Sequence, residues 1–164
     1  MPGKIQKITP NLWFDTQAEE AAEFYTSLFS DSRIVRTARY GKESYDKTAE
    51  GKVMTVEFRL EGQNFVALNG GPHFKFNEAI SFIVSCDDQD EVDRYWNALS
   101  EGGDEKAQQC GWLKDRFGVS WQIVPKRLHE LLGSGDADSA GRVTKAMLGM
   151  KKLDIPELER AYEG

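Results

Sequence analysis

Apolar and polar residues alternate from Ile5 to Phe14: Ile8, Leu12 and Phe14 share one face, and Thr9, Asn11 and Trp13 the other. Alternation of this kind predicts a strand buried on one side. Thr16-Gln17-Ala18-Glu19 then has the form of a capping box, in which a hydroxyl and a carboxylate close the first turn of a helix. Behind it Ala21, Phe24, Tyr25 and Leu28 recur at helical spacing and form one apolar stripe. Ser30-Asp31-Ser32 ends the helix, and Ile34 to Tyr40 reads as a second strand. Gly41 to Lys52 is polar, the composition of an exposed loop. Val53 to Leu60 alternates again, with Met54, Val56, Phe58 and Leu60 facing one way and Thr55, Glu57 and Arg59 the other. Glu61-Gly62 turns the chain and Gln63 to Leu68 returns, which predicts a β-hairpin. Asn69-Gly70-Gly71-Pro72 breaks the pattern.

The same order then repeats. Ala79 to Ser85 alternates, with Ile80, Phe82 and Val84 on one face. Asp87 and Asp88 offer an N-cap to a helix carrying Val92, Tyr95, Trp96 and Leu99 on one stripe. Phe24-Tyr25 and Tyr95-Trp96 hold equivalent places, 71 residues apart. Gly102-Gly103 ends this helix, and three short strands are expected near Lys106–Gln109, Gly111–Lys114 and Ser120–Val124. The reading is an α+β fold of two tandem βαβββ modules, residues 5–69 and 79–125, within one domain spanning 1–125. A period near 70 residues marks a whole module and not a solenoid repeat. Pro125 closes the second module, and residues 126–164 read as a helical extension. Leu128, Leu131 and Leu132 form one turn set stopped by Gly133, and Val143, Ala146, Met147 and Met150 form another. Ser134 to Ser139 is expected to be the loop between them. Pro156 sits where a last helix would begin, with Leu158 and Tyr162 on one face. The extension would clamp either its own sheet or a partner subunit.

Composition narrows the function class. The 164 residues carry 21 basic and 27 acidic side chains, a net charge of −6. That balance argues against a nucleic-acid footprint, which needs a basic patch, and favours a neutral or cationic ligand. Two cysteines, Cys86 and Cys110, cannot build a disulfide framework. The first residues lack the apolar core of a signal peptide, and no apolar run reaches the roughly 20 residues that span a bilayer. The expected setting is the cytoplasm, with reduced thiols and no membrane.

A duplicated strand–helix–three-strand module resembles the vicinal-oxygen-chelate superfamily, which groups glyoxalase, bleomycin-resistance and extradiol dioxygenase relatives. The strings ITPNLWFDTQAEEAAEFYTSLF, LNGGPHFKFNEAISFIVSCDDQDEVDRYWNALSEGG and CGWLKDRFGVSWQIVP resemble its PhnB-like branch. Members of that branch often carry the label 3-demethylubiquinone-9 3-methyltransferase. The resemblance runs from about Ile5 to Pro125, and the helices through Leu148 to Tyr162 are also similar to that family. It implies a mixed, cup-shaped sheet with a pocket on its concave face, and a homodimer.

Metal-dependent relatives place His and Glu ligands on the first and last strands of each module. The matching positions here are Thr9, Ala79, Gln122 and, at the end of the first module, Leu68 or Asn69. The final-strand signature of the relatives falls on Asp115-Arg116-Phe117-Gly118-Val119, followed by Gln122. Hard divalent ions want carboxylates and carbonyls, and transition metals imidazole or thiolate; of these positions only Gln122 and Asn69 could donate even a neutral oxygen. The expectation is therefore no metal and no cofactor. Methyl transfer has little behind it either. A glycine-rich turn for S-adenosylmethionine would open a helix on a Rossmann-like sheet, whereas Asn69-Gly70-Gly71-Pro72 leads into loop.

Within that frame the ligand-binding candidates are Asn11, Trp13, Asn69, Ser81, Trp112 and Gln122. Trp13 either stacks on a planar ligand or fills the cup. Glu57 either acts as a general base in the cup or makes an ion pair such as one with Arg59. His73, in the Asn-Gly-Gly-Pro-His loop, either moves protons or is simply solvated. Cys110 lacks a nearby base in sequence and reads as a small structural residue. The leading reading is a metal-independent small-molecule pocket. A drug-sequestering protein of the bleomycin-resistance type is the second, and the label's methyltransferase or a metal-dependent glyoxalase- or dioxygenase-like enzyme is the third.

Overall fold

The computed structural model describes residues 5–164, which fall into two compact units, 5–75 and 76–164. The first unit runs β1 (Asn11–Phe14), α1 (Ala18–Leu28), β2 (Arg33–Arg39), β3 (Val53–Leu60) and β4 (Gln63–Asn69). Its sheet has the order β1-β4-β3-β2, with β1 parallel to β4 and the other pairs antiparallel. Parity decides what lies under the helix. Leu12, Phe14, Val56, Phe58, Leu60 and Ala67 are buried beneath the Ala21, Ala22 and Tyr25 stripe of α1. Tyr25, Phe58 and Phe65 stack in series, with ring centroids 6.2 and 5.4 Å apart. The alternate residues, among them Asn11, Trp13, Thr55, Glu57, Arg59 and Leu68, occupy the opposite, open face.

The capping box does not form. The N-cap of α1 is Gln17, without a side-chain cap. Instead Asn69, at the end of β4, accepts the Ala18 N–H on its Oδ1 at 2.8 Å and donates its Nδ2 to the Val53 carbonyl at 3.1 Å. The parallel β1–β4 pair pairs Phe14 with Asn69, so a residue 51 positions away does the work expected of Thr16.

The second unit contains β5 (Ser81–Cys86), α2 (Gln89–Ser100), β6 (Trp112–Lys114) and β7 (Ser120–Pro125). Its sheet has the order β5-β7-β6, parallel then antiparallel. Both sheets are therefore mixed, and the α+β class holds. One expected strand is missing: Lys106–Gln109 gives way to a 3₁₀ turn at Glu105–Ala107 and a single bridge between Gln109 and Trp112. The cause is local, because the Asp104 carboxylate accepts the Lys106 N–H and closes the turn. Ile80 also departs from its expected face: β5 begins at Ser81, leaving Ile80 73% exposed.

The extension forms α3 (Lys126–Leu132), α4 (Ala137–Leu148) and α5 (Ile155–Glu163). α4 starts inside the stretch expected to be loop, because Asp136 caps it by accepting the Asp138 N–H. Pro156 stands in the first turn of α5, as its fixed φ favours. Leu128, Leu131, Val143, Leu153 and Leu158 bury one another together with Val124 of β7.

Candidate functional site

Each unit's sheet has one open face. On the second, Ser81 and Gln122 come together across the parallel β5–β7 pair, where Ser81 aligns with Ser120 and Ile83 with Gln122. The Gln122 Nε2 donates to the Ser81 Oγ at 2.9 Å. Trp112 pairs with Gln122 across the β6–β7 hairpin and is half-buried. Ser120 shares the parity of Gln122, is buried, and its hydroxyl has no hydrogen-bond partner among the described residues. An unpaired buried hydroxyl costs about 1–3 kcal/mol. Ile83, 60% exposed, gives the same face an apolar wall.

The hairpin that carries Gln122 is built by Asp115, which sequence reasoning placed only as part of a signature. Its buried carboxylate accepts the Phe117 and Val119 N–H groups and the Trp121 indole N–H at 2.9–3.0 Å. An Asp three residues before a glycine, as Asp115 stands to Gly118, is the signal that marks such an Asx turn in sequence.

On the first unit's open face, Glu57 forms an ion pair with Arg36, Oε1 to Nη2 at 2.7 Å. Arg59 lies 3.8 Å from Asp31 instead, and its Nε is buried with no partner among the described residues. Glu57, Arg59, Arg33 and Asn64 border a cavity of about 560 Å³. Asn11 is exposed. Trp13 is held by the loop after β4: its indole N–H donates to the Gly71 carbonyl at 2.9 Å, and its ring meets Phe74 edge-on at 4.9 Å. His73 is exposed beside Gly71. Asn69 has both ends of its amide engaged in the scaffold, as described above.

These placements test whether the family's metal would fit. Thr9 offers a lone hydroxyl, Ala79 no donor, and the amides of Asn69 and Gln122 already hold Ala18 and Ser81. The donor set does not suit a divalent ion. Among the described residues no three His, Cys, Asp or Glu side chains gather to hold one elsewhere. Among the described residues no helix is long and apolar enough to cross a membrane.

Comparison with known proteins agrees with this architecture. The profile of the family described as 3-demethylubiquinone-9 3-methyltransferase matches residues 6–124, so the extension lies outside it. No curated protein matches. A PhnB protein from Bacillus cereus, described under the same methyltransferase heading, is 37% identical over 73% of this chain and 99% of its own, with a TM-score of 0.64. Protein PA1353 from Pseudomonas aeruginosa is 22% identical over 74% and 98%, with a TM-score of 0.59. The fosfomycin resistance protein FosX from Mesorhizobium loti, 14% identical over 81% and 99% with a TM-score of 0.54, shares the fold. The chain belongs to the PhnB-like, 3-demethylubiquinone-9 3-methyltransferase family and has the glyoxalase/bleomycin-resistance fold.

Proposed function

We propose that the protein binds a small organic molecule, without a metal ion, through neutral hydrogen-bonding groups on the open face of the second unit's sheet. The carrying observation is the polar set of Ser81, Gln122 and Ser120, in which a buried hydroxyl lacks a partner among the described residues. A ligand hydroxyl or N–H would donate to the Gln122 amide oxygen, whose Nε2 already serves Ser81, and Trp112 would offer its ring to a planar group.

Binding is better supported than proton transfer. Glu57 is ion-paired with the Arg36 guanidinium, and His73 has no hydrogen-bonded partner among the described residues to orient it as a base. The family's methyltransferase description draws no support from the backbone: the segment after Asn69 enters turn and loop, with no helix N-terminus to receive a cofactor.

The test is a thermal-shift and native mass-spectrometry screen of the purified protein. Its probes are divalent metals, S-adenosylmethionine, phenols, 2-oxo acids and cationic glycopeptides. An organic compound is expected to raise the Tm of the metal-free protein, which should run as a homodimer. Gln122→Leu should abolish that rise, and Glu57→Gln should preserve it. A stoichiometric divalent ion with a large Tm rise would overturn the proposal.

A further inference from the structure

The first unit has a second concavity, away from the open sheet face. Its volume is about 490 Å³, and it lies where β1 and β4 end and α1 begins. Tyr40, just past β2, and Tyr45, in the following loop, form its aromatic side, with ring centroids 6.2 Å apart and planes at 86°. Neither hydroxyl uses its proton on the cavity. Tyr40 donates to the Asn69 carbonyl at 2.5 Å, and Tyr45 to the Gly70 carbonyl at 3.2 Å. The phenol oxygens are thus left as acceptors on the same segment that caps α1 and covers Trp13. Tyr45 is nevertheless 76% exposed, so its ring is accessible.

The charge around these rings is one-sided. Asp15, Glu19 and Asp46 line the cavity, against a single cation, Lys52. Asp46 is occupied, accepting the Thr48 N–H at 2.8 Å and the Thr48 hydroxyl at 2.7 Å. Asp15 and Glu19 make no ion pair among the described residues. Burial first, and then the neighbouring Tyr45, raise the Tyr40 hydroxyl above the ordinary phenol range, so it stays neutral in the physiological range. An anion would meet two carboxylates and acceptor oxygens. A cation with N–H groups would find acceptors for its protons and ring faces for its charge.

We infer that the Tyr40–Tyr45 cavity is a binding site for a small organic cation, a primary ammonium carried on an apolar or aromatic body. It is separate from the Ser81–Gln122 face and does not depend on what binds there.

The matched probes are benzylammonium and benzoate, which share a ring and differ in charge. Titration of the full chain is read by calorimetry and by amide shifts in NMR spectra. Benzylammonium should bind and shift the amides of Tyr45, Gly70 and Gly71, and benzoate should do neither. Tyr45→Ala should weaken binding at least about tenfold, the scale of one cation–π contact together with lost apolar area. Tyr45→Phe should fall between the native chain and Tyr45→Ala, because the ring stays and one acceptor oxygen goes. Glu19→Gln, on an exposed first helical turn that tolerates the change, should weaken binding about threefold and reduce its salt dependence. Gln122→Leu should leave it unchanged, which separates this site from the proposed one. Equal binding of benzoate, shifts confined to other residues, or unchanged affinity in folded Tyr45→Ala would each overturn the inference, as would no binding at millimolar benzylammonium.

Discussion

Gly70 shows how a single position ties two parts of the first unit together. A Cβ built there would stand 2.3 Å from the Trp13 indole, far inside van der Waals contact. The glycine lets the chain pass over the ring, and the neighbouring Gly71 carbonyl then takes the indole proton. Cys86 is the contrasting case, a buried group whose chemistry is suppressed. Burial first, then the nearby Glu91 and Asp87 carboxylates, push its thiol up to about 12. The folded chain therefore keeps a proton that the unfolded chain releases near the ordinary thiol value of 9.0. The contribution is fully present below that value and is lost as pH rises from it towards 12. Urea unfolding at about pH 8 and about pH 10 should show a larger loss of stability for the native chain than for Cys86→Ala. Equal losses in the two would remove Cys86 from the alkaline response. The raised value also makes Cys86 a poor nucleophile.

At the scale of elements, α1 is the instructive one. Its stripe of Ala21, Tyr25 and neighbours was legible because period 3.6 is a local property of the chain. Its cap was not, because the acceptor comes from β4 through a strand pairing that sequence spacing does not encode. Asn69→Ala should therefore cost about 1–2 kcal/mol, the value of a lost cap with the Val53 carbonyl also left unpaired. Thr16→Ala should cost close to nothing. Chemical denaturation of the two variants checks the order, and a larger loss at Thr16 would restore the capping box. The absent strand at Lys106–Gln109 has a similar origin. Short polar segments carry little periodicity, and a side-chain cap from Asp104 is enough to turn one into a 3₁₀ helix.

For the molecule as a whole, the extension is the largest addition outside the family match. It clamps its own unit. The Cys110 and Gly111 N–H groups donate to the Met150 and Lys151 carbonyls at 2.7 and 2.8 Å. Gln89 at the start of α2 donates to the Leu153 carbonyl and accepts the Ile155 N–H. Leu153 itself would be 3.1 Å from a Cβ at Gly111, so the turn before β6 and the extension share one packed surface. Leu153→Ala should cost about 3 kcal/mol as a buried leucine truncation. It should also speed amide exchange at Gly111 while leaving the β4 amides as they are. Unchanged exchange at Gly111 would show that the clamp does not hold the β6 turn.

The sequence by itself determined the α+β class, the repeated strand–helix order and the parity that separates buried from open faces. These follow from periods of 2 and 3.6 residues, which are local and survive without knowledge of partners. It also set which donor atoms stand at Thr9, Ala79, Asn69 and Gln122, since these belong to side-chain identity. Only the tertiary structure decided that Asn69 and Trp13 serve the scaffold, that Glu57 pairs with Arg36, and that Ser120 is buried with no partner among the described residues. It likewise decided that Tyr40 and Tyr45 meet over Asn69 and Gly70, and that the extension grips its own sheet. Each of those outcomes depends on atoms distant in sequence competing for the same donor, acceptor or space. That competition is resolved only when the strands pair.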